Sequence, residues 1–175
     1  MSVVVRRLEE ALRRAPRSGY KASMYTGLVS KLASMAQNAV KAAGLAECIG
    51  VAKELCGKSG DAIVCSTGCA GIYLVSSNGD KRVMKVGGNA VGIRISDNVV
   101  EVKSKKAGIV LEPGRLTIML PSGEGWETVS VNIADVDDVV SKYHFIKYAV
   151  QRVDWNLNVT LRDLTSCSRL SGLTC

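Results

Sequence analysis

The sequence predicts an α+β fold: an N-terminal helical hairpin or three-helix unit, an antiparallel β-meander, and a C-terminal helix packed on it. The meander should hold six to eight strands and close into a small barrel or a bent sheet. Three observations carry this reading. Apolar residues recur at helical spacing in the first third of the chain and at every second position after Gly60. The later breaks are turn chemistry: Asn78-Gly79, Gly87-Gly88-Asn89, Asp97-Asn98, Pro113-Gly114 and Pro121-Ser122-Gly123. Connections this short can hardly join neighbouring strands other than antiparallel. The change of period divides the chain into a basic helical segment, 1–58, and a meander with its helix and tail, 59–175, within what can be one continuous domain.

The first helix, residues 4–15, sets Val4, Leu8, Ala11, Leu12 and Ala15 on one face. Pro16 and Ser18-Gly19 end it. In the second, Tyr25, Leu28, Val29, Leu32, Met35, Ala36, Ala39, Val40 and Ala43 keep the i, i+3, i+4 rule, and Gly44 supplies a stop. A third short helix is expected over 46–56, ending at Gly57. Strands are expected at 62–66, 72–77, 82–86, 91–96, 99–104, 109–112, 116–120 and 127–133. Asp135 should cap a helix running to Gln151, followed by an extended stretch over 157–162.

The positive charge is concentrated at the front. Arg6, Arg7, Arg13, Arg14, Arg17, Lys21, Lys31 and Lys41 face only Glu9 and Glu10 within residues 1–45, a net +6 of the chain's +7. No acid occurs in residues 11–46, whereas a merely solvated helix face usually mixes both signs. Such a surface attracts a polyanion, nucleic acid first among them. Lys85, Arg94 and Lys103 on successive strands, with Lys105 and Lys106 in the next loop, are expected to form a secondary basic patch. Aromatic residues make up 5 % of the chain, which argues against base stacking as the main mode of binding.

Catalytic and metal chemistry find little support. Gly57-Lys58-Ser59 resembles the end of a phosphate-binding loop, but Ala52 and Lys53 stand where the upstream glycine is required and the order strand–loop–helix is missing. Cys48, Cys56, Cys65 and Cys69 lack the paired Cys-x-x-Cys knuckles of a zinc or iron–sulfur site. His144 is the single histidine, with no spacing that recommends a nucleophile partner. Asp135, Asp137 and Asp138 are accounted for by helix capping. No catalytic residue, metal or cofactor is therefore assigned.

Six cysteines without a recognisable secretion signal suggest disulfides of the kind found inside hyperthermophiles. Few Gln and His and many Arg and Val point the same way, toward a thermophilic archaeal source. A Cys167–Cys175 bridge would pin the tail. The expectation is a cytoplasmic, non-enzymatic, nucleic-acid-associated protein or complex subunit, free of membrane contact and able to self-associate. The alternative is an adaptor subunit whose alanine-rich second helix packs on a partner.

Overall fold

The computed structural model describes residues 2–49, 51–87 and 90–172, with the backbone alone for 51–55. Helices α1 (Val3–Arg13) and α2 (Tyr20–Cys48) precede nine strands, and α3 (Val136–Ser141) and α4 (Tyr143–Leu170) follow them. The strands are β1 (Val51–Ser59), β2 (Ala62–Thr67), β3 (Ile72–Ser77), β4 (Asp80–Lys85), β5 (Val91–Ile95), β6 (Val100–Ser104), β7 (Gly108–Glu112), β8 (Arg115–Ser122) and β9 (Gly125–Asn132). They pair in chain order into one antiparallel sheet, open between β1 and β9 rather than closed as a barrel. The α+β class and the meander match the sequence expectation, with one strand more than the upper count.

Three boundaries differ from expectation. Gly44 does not stop α2, which continues to Cys48, and the expected third helix is instead the strand β1. The helix expected to end at Gln151 runs to Leu170, so residues 157–162 are helical rather than extended. Burial decides where both helices end: Ala42, Ala43 and Ala46 on α2 and Leu157, Thr160 and Leu164 on α4 all lie in the core. Tertiary packing outweighs the weak local preferences of glycine and β-branched residues. The Asn78-Gly79 turn is as expected, with φ of 48° and 81° at its two residues, the signature of a two-residue hairpin. Gly88 and Asn89 lie outside the described residues.

Alternation, broken at Val75 and Gly108, gives the sheet two unlike faces. The register aligns Cys65, Leu74, Val83, Ile93, Val102, Ile109 and Ile118 in one row across seven strands. All seven are buried. A parallel row through Val100, Leu111, Leu116 and Val131 is buried as well. Helices α2 and α4 cover this face and join the same hydrophobic core, α2 over β4 to β6 and α4 over β5 to β8. The Tyr25 hydroxyl fixes the start of α2 by donating to the Ile133 carbonyl at 2.9 Å, and burial raises its pKa.

Two disulfides are seen among the described residues. Cys56–Cys65 joins directly opposed positions of β1 and β2. Cys69–Cys167 ties the β2–β3 turn to the end of α4. The expected Cys167–Cys175 bridge is thereby overturned, because the extra turns of α4 carry Cys167 back over Cys69. Cys48 is also disulfide-bonded, and Cys175 lies outside the described residues. Among the described residues no helix is long and apolar enough to cross a membrane.

The Cys69–Cys167 bridge spans 98 residues of chain. Replacing both cysteines by Ala should lower stability by about 2–4 kcal/mol in urea unfolding; an unchanged midpoint would show that the bridge contributes nothing. Asp138 accepts hydrogen bonds from Lys142 Nζ and from the Asn132 amide, and these lower its pKa in the folded chain. The unfolded chain therefore binds this proton more tightly, so the stabilisation is complete above the ordinary 3.8 and fades as pH falls through the lowered value. Asp138→Asn should melt below the parent at pH 7, with the gap closing in strong acid; a gap independent of pH would rule this out.

Candidate nucleic-acid interface

Helix α1 buries Val4, Val5 and Leu8, which turns Arg6 and Arg13 outward on the opposite side. Arg14 and Arg17 are exposed in the turn that follows. Three of the eight front cations are held by carboxylates. Arg7 pairs with Glu10 of its own helix at 3.1 Å, Lys21 with Asp137 of α3 at 2.9 Å, and Lys31 with Asp154 of α4 at 2.7 Å. The remaining five, Arg6, Arg13, Arg14, Arg17 and Lys41, are exposed and have no ion-pair partner among the described residues.

Helix α4 adds a cationic surface that sequence reading missed. Phe145, Tyr148, Arg152, Trp155, Val159 and Arg162 follow one another at steps of three and four and form an outward stripe. Phe145 is 52 %, Tyr148 44 % and Trp155 53 % exposed. The Arg152 guanidinium stands 5.0 Å from the centre of the Tyr148 ring, and Lys147 Nζ stands 5.7 Å from that of Tyr143. The acids of α4, Asp154 and Asp163, are taken up by Lys31 and Lys85. With Lys147, Arg152, Arg162 and Arg169 added, nine exposed cations on α1, α2, α4 and the α1–α2 turn lack an ion-pair partner among the described residues. Glu9, half-buried, is the one carboxylate of these elements without an ion-pair partner among the described residues, and it accepts a hydrogen bond from Gln37. The spacing of the stripe was legible in the sequence, but only to a reading that continued the helix beyond Gln151.

Helices α2 and α4 run in the same direction: Ser23 to Lys31 face Tyr143 to Gln151 across a groove of about 370 Å³, and Lys31 meets Asp154 just beyond. The alanine stripe expected to suit a partner helix is used inside the molecule, since Ala36, Ala39 and Ala42 are fully buried. His144 lies edge-on to the Tyr143 ring on the exposed side of α4.

The secondary patch divides between the two faces of the sheet. Lys85 shares a row with buried Ile72 and Val91, on the helix-covered side, and reaches Asp163 of α4. Arg94 and Lys103 stand on the opposite, uncovered face. Arg94 lies 3.8 Å from Asp80 and 3.5 Å from Glu101, while Lys103 Nζ sits 4.3 Å over the ring of Trp126. Lys105 and Lys106 are exposed in the β6–β7 turn. Among the described residues no three His, Cys, Asp or Glu side chains converge as a metal site. No family model, curated protein or solved structure matches the chain.

The Lys31–Asp154 pair separates structural from available charge. The Asp154 side chain is 12 % exposed, so removing its partner leaves a nearly buried carboxylate uncompensated. Lys31→Met should cost about 1–3 kcal/mol of stability, the penalty of leaving a charged group unpaired, whereas Lys41→Met should stay within about 0.5 kcal/mol. Equal urea midpoints for the two variants would refute the distinction.

Proposed function

We propose that the protein is a non-catalytic nucleic-acid-associated protein that holds the phosphate backbone through its helical surface, largely without regard to sequence. The observation that carries this reading is the imbalance on α1, α2, α4 and the α1–α2 turn: nine exposed cations without an ion-pair partner among the described residues, against a single carboxylate. Each cation that meets a phosphate releases condensed counterions, so affinity is high at low salt and falls steeply as salt rises. The Phe145–Tyr148–Trp155 stripe adds exposed ring faces beside Arg152 and Arg162, a combination suited to unpaired bases next to phosphates. The disulfide-bonded Cys48, Cys69 and Cys167 fit an intracellular protein of a thermophilic archaeon, the setting we infer for it.

A second reading, an adaptor subunit docking on a protein, is favoured by the exposed apolar rings of Phe145 and Trp155. A stoichiometric partner that survives nuclease treatment and high salt would select it over the first.

The test is the salt dependence of binding to random duplex DNA by fluorescence anisotropy. Changing Arg13, Arg14 and Arg17 together to Ala should flatten the log–log slope by about two to three, near 0.9 for each phosphate that the variant no longer neutralises. A slope identical to the parent's removes this segment from the interface.

A further inference from the structure

The uncovered face of the sheet holds a groove of about 360 Å³ whose floor is Gly92. In the register Gly92 lies between Met84 of β4 and Lys103 of β6. Glycine weakens a strand, and inside one it usually marks a bulge, a tight bend or a close approach. Neither backbone conformation nor crowding requires it here. Its φ is not positive, and an added Cβ would meet nothing nearer than the Lys103 carbonyl oxygen at 4.0 Å. Gly108, next but one along the same row, is different: a Cβ there would come within 2.7 Å of Met119 Cε. Packing accounts for Gly108. The bare floor at Gly92 is left open.

The walls of this groove combine two chemistries. Met84 and Trp126 are 41 % and 38 % exposed, an apolar and aromatic lining on a face that also carries Tyr73, Val75, Val110 and Met119 among its charged and polar side chains. Arg82 and Lys105 are exposed at the rim without an ion-pair partner among the described residues, and Lys103 lies over Trp126. Arg94 contributes a buried Nε–H that has no hydrogen-bond acceptor, and its two carboxylate neighbours stand at 3.5 and 3.8 Å, beyond good hydrogen-bond length. The Arg94 Nε–H is closed off from solvent, so the exposed groups select the ligand: one flat and aromatic at one end and anionic at the other. The volume lies at the small end of ligand pockets and suits one such unit rather than several.

We propose that this groove binds a single nucleotide unit, its base lying over Gly92 against Met84 and Trp126 and its phosphate held by Arg82 and Lys105. The site is separate from the helical surface and does not rest on the phosphate-backbone reading. The unit can come from a free nucleotide or from a nucleotide within a strand, and the chemistry recognised is the same.

The experiment follows the indole N–H resonance of Trp126 in the full chain, assigned by its loss in Trp126→Phe. Titrants are 5′-AMP, a short oligo(dA) and inorganic phosphate. A saturable shift with 5′-AMP identifies a free nucleotide as sufficient; a shift with oligo(dA) alone identifies a nucleotide within a strand; either supports the site. Gly92→Val fills the floor and should weaken binding roughly tenfold, the worth of one stacked base, while the melting temperature stays level or rises. Arg82→Ala should weaken it as well. No shift with either nucleotide, an equal shift with phosphate, or undiminished binding by Gly92→Val overturns the proposal. Oligonucleotide affinity that survives Gly92→Val but falls in the Arg13, Arg14, Arg17 variant overturns the groove and leaves the helical interface standing.

Discussion

One constraint organises the molecule: a nine-stranded meander has an apolar face that cannot stay in water. The row from Cys65 to Ile118, with its neighbour through Val100, Leu111, Leu116 and Val131, is continuous over most of the sheet's width. Covering it takes long elements. Helix α2, with 29 residues, and α4, with 28, are each about 40 Å in length, enough to cross several strands. The small side chains of Ala36, Ala39 and Ala42 let α2 settle closely within the shared core. The ends of the chain are thus tied together through the sheet between them, and the Cys69–Cys167 bridge locks α4 to the strands at its far end.

The charge distribution follows from this packing. Once the apolar stripes of α2 and α4 face the sheet, their cations can only face solvent or one another's acids. The parallel alignment of the two helices brings Lys31 to Asp154, and the docking of α4 brings Asp163 to Lys85. These pairs neutralise both acids of α4 and leave Arg152, Arg162 and Arg169 without an ion-pair partner among the described residues. The result is more one-sided than composition implies, because the acids of α4 are engaged in pairing between elements.

The second face of the sheet has a different character. The row through Tyr73, Met84, Gly92, Lys103, Gly108 and Met119 mixes charged, aromatic, apolar and small residues on a face that no helix covers. It is neither flat nor uniformly solvated. Trp126 reaches from β9 toward Lys103 on β6 across β7 and β8, giving an open sheet a concavity with one apolar and one cationic side.

Local signals in the sequence were enough for the class of the fold, the first helix, most of the second and eight of the nine strands. Period-two alternation and turns such as Asn78-Gly79 act between neighbours, and a meander is built from neighbours. The concentration of cations before residue 45 is likewise a property of the chain alone. What the chain alone did not reveal depends on contacts between distant residues. The length of α4, the Cys69–Cys167 pairing, and the division of Lys85 from Arg94 and Lys103 each arise when segments far apart in sequence meet. The same holds for which lysines keep their charge free: Lys31 and Lys41 look alike in sequence, and only the approach of Asp154 across 123 residues separates them. Short-range sterics and periodicity are written locally, whereas burial and ion pairing are set by the partner that the folded chain brings into reach.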